Sequence, residues 1–318
     1  MHSTHAEVDL RLAVHRRAAA ADEVITVELR DPSGSDLPAW EPGAHVDLVL
    51  GPDLVRQYSL CGAVADRGSW LVGVLREPEG RGGSRFIFDE LHEGVEIDVR
   101  GPRNNFVLEP AQRYVFIGGG IGITPMLPMI EAAAASGTPW ELHYGGRTRS
   151  SMAFLDRVVE HGDAVTLYPE NEVGLIDLAT ILSDPRPGVG VYACGPEPLL
   201  DAVEKHCTAW PSGTLHVERF SPKDFGDVTN SSFEVHLAQT GIDLVVPADV
   251  SILDAVEAAG VDVVSSCQEG TCGSCETAVL DGTVDHRDSV LTPEEQAENT
   301  TMFICVSRAS CPRLVLDL

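Results

Sequence analysis

Short apolar runs separated by glycine and proline occupy roughly the first third of the chain. They predict strands at residues 24–29, 45–50, 70–75 and 95–99, and the residues at 85–91 form a short amphipathic piece. Short strands at regular spacing, with turn residues between them, are typical of an antiparallel barrel. The pattern therefore predicts a β-barrel domain over residues 1–108.

The periodicity changes at about residue 113. Strand-like apolar runs at 114–117, 141–144, 164–168, 189–193 and 214–217 alternate with helical stretches at 126–135, 153–160, 176–182 and 198–207. Strand alternating with helix indicates a parallel, doubly wound sheet. We therefore predict an α/β domain over residues 109–221, with its ligand beyond the carboxyl ends of the strands.

The remaining residues predict a linker and a third domain. Residues 222–231 are polar and lack periodicity, which is typical of a linker. After them the pattern predicts a hairpin at 233–238 and 243–246, a helix at 252–259 that Ser251 caps, a turn or helix at 293–298, and strands at 277–280, 302–306 and 314–318. This indicates a mixed α+β domain over residues 232–318.

Composition limits the class of protein. A chain of 318 residues with 43% hydrophobic residues is long enough for two or three globular domains. It has no apolar run of about 18 residues and begins with a polar, mixed segment, so we expect neither a membrane span nor a secretory signal. The eight cysteines do not form a disulfide framework. Together these features predict a cytoplasmic protein.

The net charge of −27 argues against nucleic-acid binding, which requires a basic surface. Two explanations of this charge remain open. It can serve solubility or reflect an acidic proteome, or it can steer the protein towards a basic patch on a redox partner.

Four cysteines near the C-terminus carry the strongest chemical signal. Cys267 and Cys272 are separated by four residues, Cys272 and Cys275 by two, and Cys305 follows thirty residues later. This is the plant-type spacing for a [2Fe–2S] cluster. Zinc and disulfides are the alternatives, but zinc ribbons favour two paired cysteine knuckles and Cys305 has no close cysteine partner. We therefore predict these four residues as ligands of a one-electron [2Fe–2S] centre.

Three glycine-bearing segments are candidate phosphate or nucleotide sites, because exposed N–H groups at a turn or helix start attract anions. Each also has a plain explanation as a tight turn without a ligand, and the run at 118–122 does not have the Gly-x-Gly-x-x-Gly form. The segments are Gly82-Gly83-Ser84, the run that contains Gly118, Gly119, Gly120 and Gly122, and Cys194-Gly195-Pro196.

Taken together, these motifs resemble the phthalate dioxygenase reductase family, the reductase components of two-component Rieske oxygenases, which include vanillate O-demethylase reductases. The resemblance covers essentially the full length, in the order flavin barrel, nucleotide domain and C-terminal ferredoxin. It rests on the four cysteines, the three glycine segments, Arg56-x-Tyr58-Ser59-Leu60 and Gly101-Pro102-Arg103-Asn104-Asn105-Phe106. The fold it implies is an antiparallel flavin barrel, a doubly wound nucleotide domain and a β-grasp ferredoxin.

The resemblance also implies cofactors and site residues. FMN would be bound through its phosphate by Arg56 and by Gly82, Gly83 and Ser84. Tyr58, Ser59, Val74, Leu75 and Arg76 would border the flavin ring, and Thr124 and Phe220 would reach it from the second domain. The nicotinamide nucleotide would lie over Gly118, Gly119, Gly120 and Gly122, with Gly195 and Pro196 also binding it and Cys194 near the reacting ring carbon. Thr124 and Cys194 would be the catalytic residues.

The implied function is electron transfer from NADH through FMN and the [2Fe–2S] cluster to a terminal oxygenase. A nicotinamide gives two electrons at once and the cluster accepts one, so a flavin is needed between them. Alternative acceptors are a haem-thiolate monooxygenase and an amine-type Rieske monooxygenase. A non-catalytic redox sensor is a third hypothesis, which the intact motifs disfavour. NADPH remains open, because Arg147, Arg149, Ser150 and Ser151 can hold a 2′-phosphate.

Overall fold

The computed structural model describes residues 7–51, 54–223, 225–226 and 228–318. The chain divides into two compact units, Met1–Glu218 and Arg219–Leu318. Two residues of the predicted linker, Asp224 and Asp227, lie outside the described residues. The boundaries of the three predicted domains stay a prediction.

The first part of the Met1–Glu218 unit is an antiparallel sheet that curls on itself. Its elements are β1 (Val8–Ala21), β2 (Val24–Arg30), β3 (His45–Gly51), β4 (Leu54–Ser59), β5 (Trp70–Leu75), α1 (Gly83–Asp89) and β6 (Glu96–Arg103). The strand order is β4-β3-β6-β1-β2-β5, and an antiparallel bridge between Leu60 and Val72 joins the two edges at one point. Large apolar side chains such as Trp70 fill the interior.

The longest strand of this sheet, β1, is absent from the strands predicted above. Its residues include Arg16-Arg17 and four successive alanines, and alanine is depleted in strands. The strand forms because it pairs on both sides, with β2 along one edge and with β6 along the other. Tertiary pairing therefore overrides local propensity here.

The second part of this unit is a parallel α/β sheet. It contains β7 (Arg113–Gly119), α2 (Met126–Ser136), β8 (Trp140–Gly146), α3 (Leu155–Val159), β9 (Val165–Pro169), α4 (Glu170–Val173), α5 (Leu178–Ile181), β10 (Val189–Cys194), α6 (Glu197–Cys207) and β11 (Leu215–Glu218), with 3-10 turns at Gly120–Ile123, Arg149–Ser151 and Gly162–Ala164. The order is β11-β10-β7-β8-β9, and β10 is buried throughout, as a central strand of a covered parallel sheet must be. The helices predicted at 153–160 and 176–182 are shorter than expected.

The Arg219–Leu318 unit is a mixed sheet with two short helices. Its elements are β12 (Phe233–Leu237), β13 (Ile242–Val246), α7 (Ile252–Ala258), β14 (Glu276–Asp281), β15 (Val284–Asp285), α8 (Pro293–Glu298), β16 (Thr301–Phe303), β17 (Arg308–Ala309) and β18 (Arg313–Leu316). The main sheet has the order β13-β12-β18-β14-β16, in which β12 and β18 run parallel, and β15 pairs with β17. Its own apolar core contains Phe303 and Leu314.

None of the helices in the described part of the chain combines the length and apolar character that crossing a membrane requires.

Candidate functional site

The four predicted cluster cysteines are all buried, with at most 8% of any of them exposed. Their thiols meet as two contacting pairs, Cys267 with Cys272 and Cys275 with Cys305. Among the described residues, no three histidine, cysteine or acidic side chains converge as a single-ion site would need. Two pairs of sulfurs fit a [2Fe–2S] centre, in which four thiolates hold two irons.

The loop around these cysteines favours thiolates. The N–H groups of Glu269 and Thr271 donate to the Cys267 sulfur at 3.3 and 3.5 Å. Within each pair the thiol–thiol hydrogen bond lowers the pKa of one cysteine, Cys267 to about 5 and Cys275 in the same direction, and raises the pKa of its partner, Cys272 or Cys305. One thiolate in each pair is therefore favoured, and the thiolate is the form that binds metal.

The curl of this loop depends on Gly270. Its φ of +70° lies in the left-handed region, and a Cβ added there would lie 2.6 Å from Cγ2 of Val306. Glycine is therefore required at this position both for backbone conformation and for space.

Two of the predicted phosphate-binding segments meet in the barrel. Arg56 lies on β4, and Gly83 begins α1 after Gly82, whose φ is +87°. A Cβ on Gly83 would lie only 2.4 Å from Cγ of Arg56, so the guanidinium stem passes directly over this glycine. The Arg56 guanidinium donates to the carbonyl oxygens of Val55 and Arg81 at 2.7 and 3.1 Å. The arrangement places a cation beside the start of α1, where an anionic group can be held.

The other predicted barrel residues differ in how they can contact a ligand. Ser84 accepts a hydrogen bond from the N–H of Glu77 at 3.0 Å. Burial raises the pKa of the Tyr58 phenol, so this hydroxyl stays protonated. The Val74 side chain is fully buried in the barrel core, so it can reach a flavin only through its main chain. Leu75 ends β5 and is partly buried, and Arg76 lies 3.3 Å from the Asp89 carboxylate.

The glycine run after β7 packs tightly against the turn after β10. A Cβ on Gly122 would lie 2.3 Å from the Cys194 carbonyl oxygen, and one on Gly119 would lie 2.7 Å from Cδ of Pro196. A Cβ on Gly195 would likewise lie 2.9 Å from Cα of Gly119. The predicted nucleotide residues are therefore brought together at the carboxyl ends of two adjacent parallel strands.

Gly118 and Gly120 lie in the same run with more space around them. A Cβ on Gly118 would meet its nearest neighbour at 3.4 Å, and Gly120 has open space around that position but a φ of +54°. Glycine at Gly120 is therefore explained by the backbone conformation alone.

The predicted residue Thr124 contacts the barrel. Its Cγ2 would lie 2.8 Å from a Cβ placed on Gly73 of β5, and its hydroxyl donates to the carbonyl of Ile121 at 2.9 Å. The ring of Phe154, which the sequence reasoning did not single out, lies 3.3 Å from the same point. Phe154 has a φ of +60°, a conformation that costs free energy for a residue other than glycine. These residues form a contact between β5 and the parallel α/β part of the same unit.

The sequence reasoning also missed Glu218, the last residue of β11. It lies opposite Cys194 in the parallel register, and its Oε2 accepts a hydrogen bond from the Ser59 hydroxyl at 3.4 Å. Burial raises the pKa of the Glu218 carboxyl to about 8. Burial also raises the pKa of the Cys194 thiol, with a smaller contribution from the Glu218 charge. The sequence feature that could have pointed to Glu218 is an acidic residue at the carboxyl end of a predicted strand, on the edge of the sheet where the ligand is expected.

Phe220 belongs to the Arg219–Leu318 unit and is 45% exposed. Its predicted contact with flavin stays a prediction, as do the ligand roles of the other residues named above.

Comparisons with known proteins agree with this arrangement. Residues 235–310 match the family described as the 2Fe-2S iron-sulfur cluster binding domain. The chain is 44% identical to phenoxybenzoate dioxygenase subunit beta of Ectopseudomonas oleovorans, over 99% of both chains. Its fold is similar to that of phthalate dioxygenase reductase, a modular structure for electron transfer from pyridine nucleotides to [2Fe–2S], with 37% identity, 98% of each chain covered and a TM-score of 0.71.

A second solved structure is an intact type IV self-sufficient cytochrome P450 monooxygenase. Identity is 47% and the TM-score 0.91, over 98% of this chain. The chain spans only 41% of that longer protein.

These similarities extend over nearly the whole chain, and they confirm the fold class, the oxidoreductase activity and the cofactors predicted from the sequence. The chain therefore belongs to the phthalate dioxygenase reductase family, as an FMN- and NAD(P)H-dependent [2Fe–2S] oxidoreductase that serves an oxygenase.

Proposed function

We propose that this chain is the NADH-dependent reductase of a two-component Rieske oxygenase that hydroxylates or O-demethylates an aromatic acid. The observation that carries the proposal is the set of two buried thiol pairs in the same chain as the Arg56–Gly83 contact. FMN, when bound, supplies the chemistry that accepts electrons in pairs and releases them singly. The protein contributes binding, orientation and electrostatics.

In this proposal the residues of the Met1–Glu218 unit have distinct roles. Arg56 neutralises the flavin phosphate, and Gly83 leaves room for its side chain. Glu218 keeps its proton at neutral pH, because its pKa is about 8, and can hold that proton beside Ser59. Thr124 and Phe154 fill the space next to Gly73 and exclude water from that edge.

The preference for NADH is supported by the loop after β8. Arg149 forms an ion pair with Glu172, with Nη2 and Oε2 3.1 Å apart. Ser150 donates to the Asp22 carboxylate at 2.5 Å. Two of the four residues that can hold a 2′-phosphate therefore already have acidic partners, and those acids repel a phosphate.

The second candidate acceptor is a haem-thiolate monooxygenase. The observation that favours it is the greater similarity to the matched part of the self-sufficient P450, with 47% identity against 37% for phthalate dioxygenase reductase. A cytoplasmic location is part of either proposal, since none of the eight cysteines forms a disulfide.

Reconstitution tests the proposal. The purified chain, with NADH, is mixed separately with a Rieske oxygenase that acts on an aromatic acid and with a P450, and product formation is measured for each. Turnover with the Rieske enzyme supports the first candidate, and turnover with the P450 alone selects the second. A fragment of residues 1 to about 225 is the control: it should reduce ferricyanide with NADH but support neither oxygenase, because it lacks the four cysteines. Full oxygenase turnover with the fragment would refute the role of the cluster.

A further inference from the structure

A buried polar pair lies in the Arg219–Leu318 unit, outside the residues discussed so far. Nδ1 of His286 lies 3.6 Å from Oδ1 of Asp288, and the two side chains are 8% and 0% exposed. Within the described part of the chain, neither ring nitrogen of His286 nor Oδ1 of Asp288 has a hydrogen-bond partner. Burying polar groups costs free energy unless they are paired, so this pair needs an explanation.

The other carboxyl oxygen of Asp288 shapes the backbone. Oδ2 accepts hydrogen bonds from the N–H groups of Val290 and Leu291 at 3.2 and 2.8 Å. A short aspartate side chain that holds the N–H groups two and three residues ahead closes a turn. Asp288 therefore fixes the conformation of the 286–291 segment.

This segment joins the two parts of the chain that carry the cluster cysteines. On one side, the N–H of Ser289 donates to the carbonyl of Gly270 at 2.8 Å, and Gly270 lies between Cys267 and Cys272. On the other side, the N–H of Arg287 donates to the Ser307 hydroxyl at 3.1 Å, two residues after Cys305. The cysteine loop and the turn that carries the fourth cysteine are thus tied to a single short segment.

The contact at Gly270 is tight. A Cβ on Gly270 would lie 3.1 Å from Cα of Asp288. The Gly270 backbone also lies close enough to the Cys305 sulfur to interact with it. A displacement of Asp288 would therefore be transmitted through Gly270 to a sulfur ligand.

We propose that Asp288, supported by His286, is a positioning residue for the [2Fe–2S] cluster. It fixes the spacing between the Cys267–Cys275 loop and Cys305, and it keeps the Gly270 backbone directed at the Cys305 sulfur. Hydrogen bonds to cluster sulfurs favour the reduced, more negative state, so this contact raises the reduction potential. The inference rests on the proposed function, because it concerns the same cluster.

The test uses the full-length holoprotein and four variants. Asp288→Ala removes the acceptor of both N–H groups, whereas Asp288→Asn keeps an amide oxygen that can accept them. His286→Ala removes the partner of the pair. The matched control is Asp281→Ala, which deletes an exposed carboxylate from β14 in the same unit. The readouts are the electron paramagnetic resonance spectrum of the reduced cluster, its midpoint potential, and the rate at which an iron chelator bleaches the visible cluster absorption.

We expect Asp288→Ala to bleach about tenfold faster, the usual scale for loss of an outer-shell metal contact, with a more negative potential and a broadened resonance. His286→Ala should change the same readouts in the same direction but less. Asp288→Asn and Asp281→Ala should match the wild type. If Asp288→Ala does not accumulate as folded protein, His286→Ala decides the question, because it leaves the turn at Asp288 complete.

Three results would overturn the inference. The first is wild-type readouts in Asp288→Ala, or in His286→Ala if Asp288→Ala does not fold. The second is an equal change in Asp288→Asn and Asp288→Ala, which would assign the effect to charge, and the third is an equal change in the Asp281→Ala control. Failure of the proposed function has a different signature. In that case the wild type itself would show no [2Fe–2S] resonance.

Discussion

The contact between Gly83 and Arg56 allows a sharp test of the flavin site with one added methyl group. In Gly83→Ala, the new Cβ would lie 2.4 Å from Cγ, 3.0 Å from Nε and 3.2 Å from Cδ of Arg56. Favourable carbon–carbon contacts are about 3.5–4.0 Å, so the overlap with Cγ exceeds roughly 1 Å. Cγ lies near the base of the side chain, and Arg56 must therefore leave its rotamer and move its guanidinium.

The expected loss of FMN affinity follows from the contact that Arg56 is proposed to make with the FMN phosphate. A charge-assisted hydrogen bond contributes about 1.5–3 kcal/mol, and each 1.4 kcal/mol corresponds to a factor of ten in affinity. FMN affinity should therefore fall roughly 10- to 150-fold. Folding should not suffer, because Gly83 has no positive φ and alanine favours a helix over glycine by up to about 1 kcal/mol. Loss of flavin without loss of stability is the specific signature.

The assay measures FMN per chain after extensive dialysis, the FMN dissociation constant by fluorescence, and the Tm of the apoprotein. Gly51→Ala is the matched control, since among the described residues its Cβ would meet only Cβ of Leu54, at an ordinary 3.7 Å. Arg56→Ala should lose FMN to a similar extent, and the double variant should lose little more, because both changes remove one interaction. Full flavin content in Gly83→Ala, or additive losses in the double variant, would refute the reasoning.

Three further predictions concern the other sites. Cys272→Ser should abolish the [2Fe–2S] resonance and leave flavin bound, because a hydroxyl with its much higher pKa replaces a thiolate poorly; a normal resonance would contradict the ligand set. Glu218→Gln should flatten the pH dependence of stability. Burial raises the pKa of the Glu218 carboxyl to about 8, so this carboxyl keeps its proton in the folded state. Its contribution to stability is therefore complete below about pH 4.5 and is lost as the pH rises towards 8. The Tm of the variant relative to the wild type should therefore be higher at pH 8 than at pH 5, and an equal difference at both pH values would contradict this. Glu172→Gln frees Arg149 from an exposed ion pair worth about 0.2–1 kcal/mol, so kcat/KM for NADPH should rise up to roughly fivefold, while kcat/KM for NADH stays unchanged. An unchanged kcat/KM for NADPH would show that this ion pair does not affect the choice of nucleotide.

Local chemistry was readable from the sequence because it depends on spacing within short segments. The intervals between Cys267, Cys272 and Cys275 correspond to one loop that surrounds a cluster, and the structure brings these sulfurs together with Cys305. The strands and helices of the α/β region were also predictable, since their apolar periodicity reflects burial in the sheet. The family followed from the order of these motifs.

Contacts between distant residues were decided only by the tertiary structure. β1 forms because two neighbouring strands pair with it, although its alanine-rich composition disfavours a strand. Glu218 meets Ser59 across 159 residues because β11 lies beside β10 in a fixed register and the barrel supplies the serine. No local sequence pattern predicts this hydrogen bond, since it depends on which strands become neighbours. The buried pair of His286 and Asp288 is close in sequence, yet only the fold shows that its segment ties the two cysteine-bearing parts together.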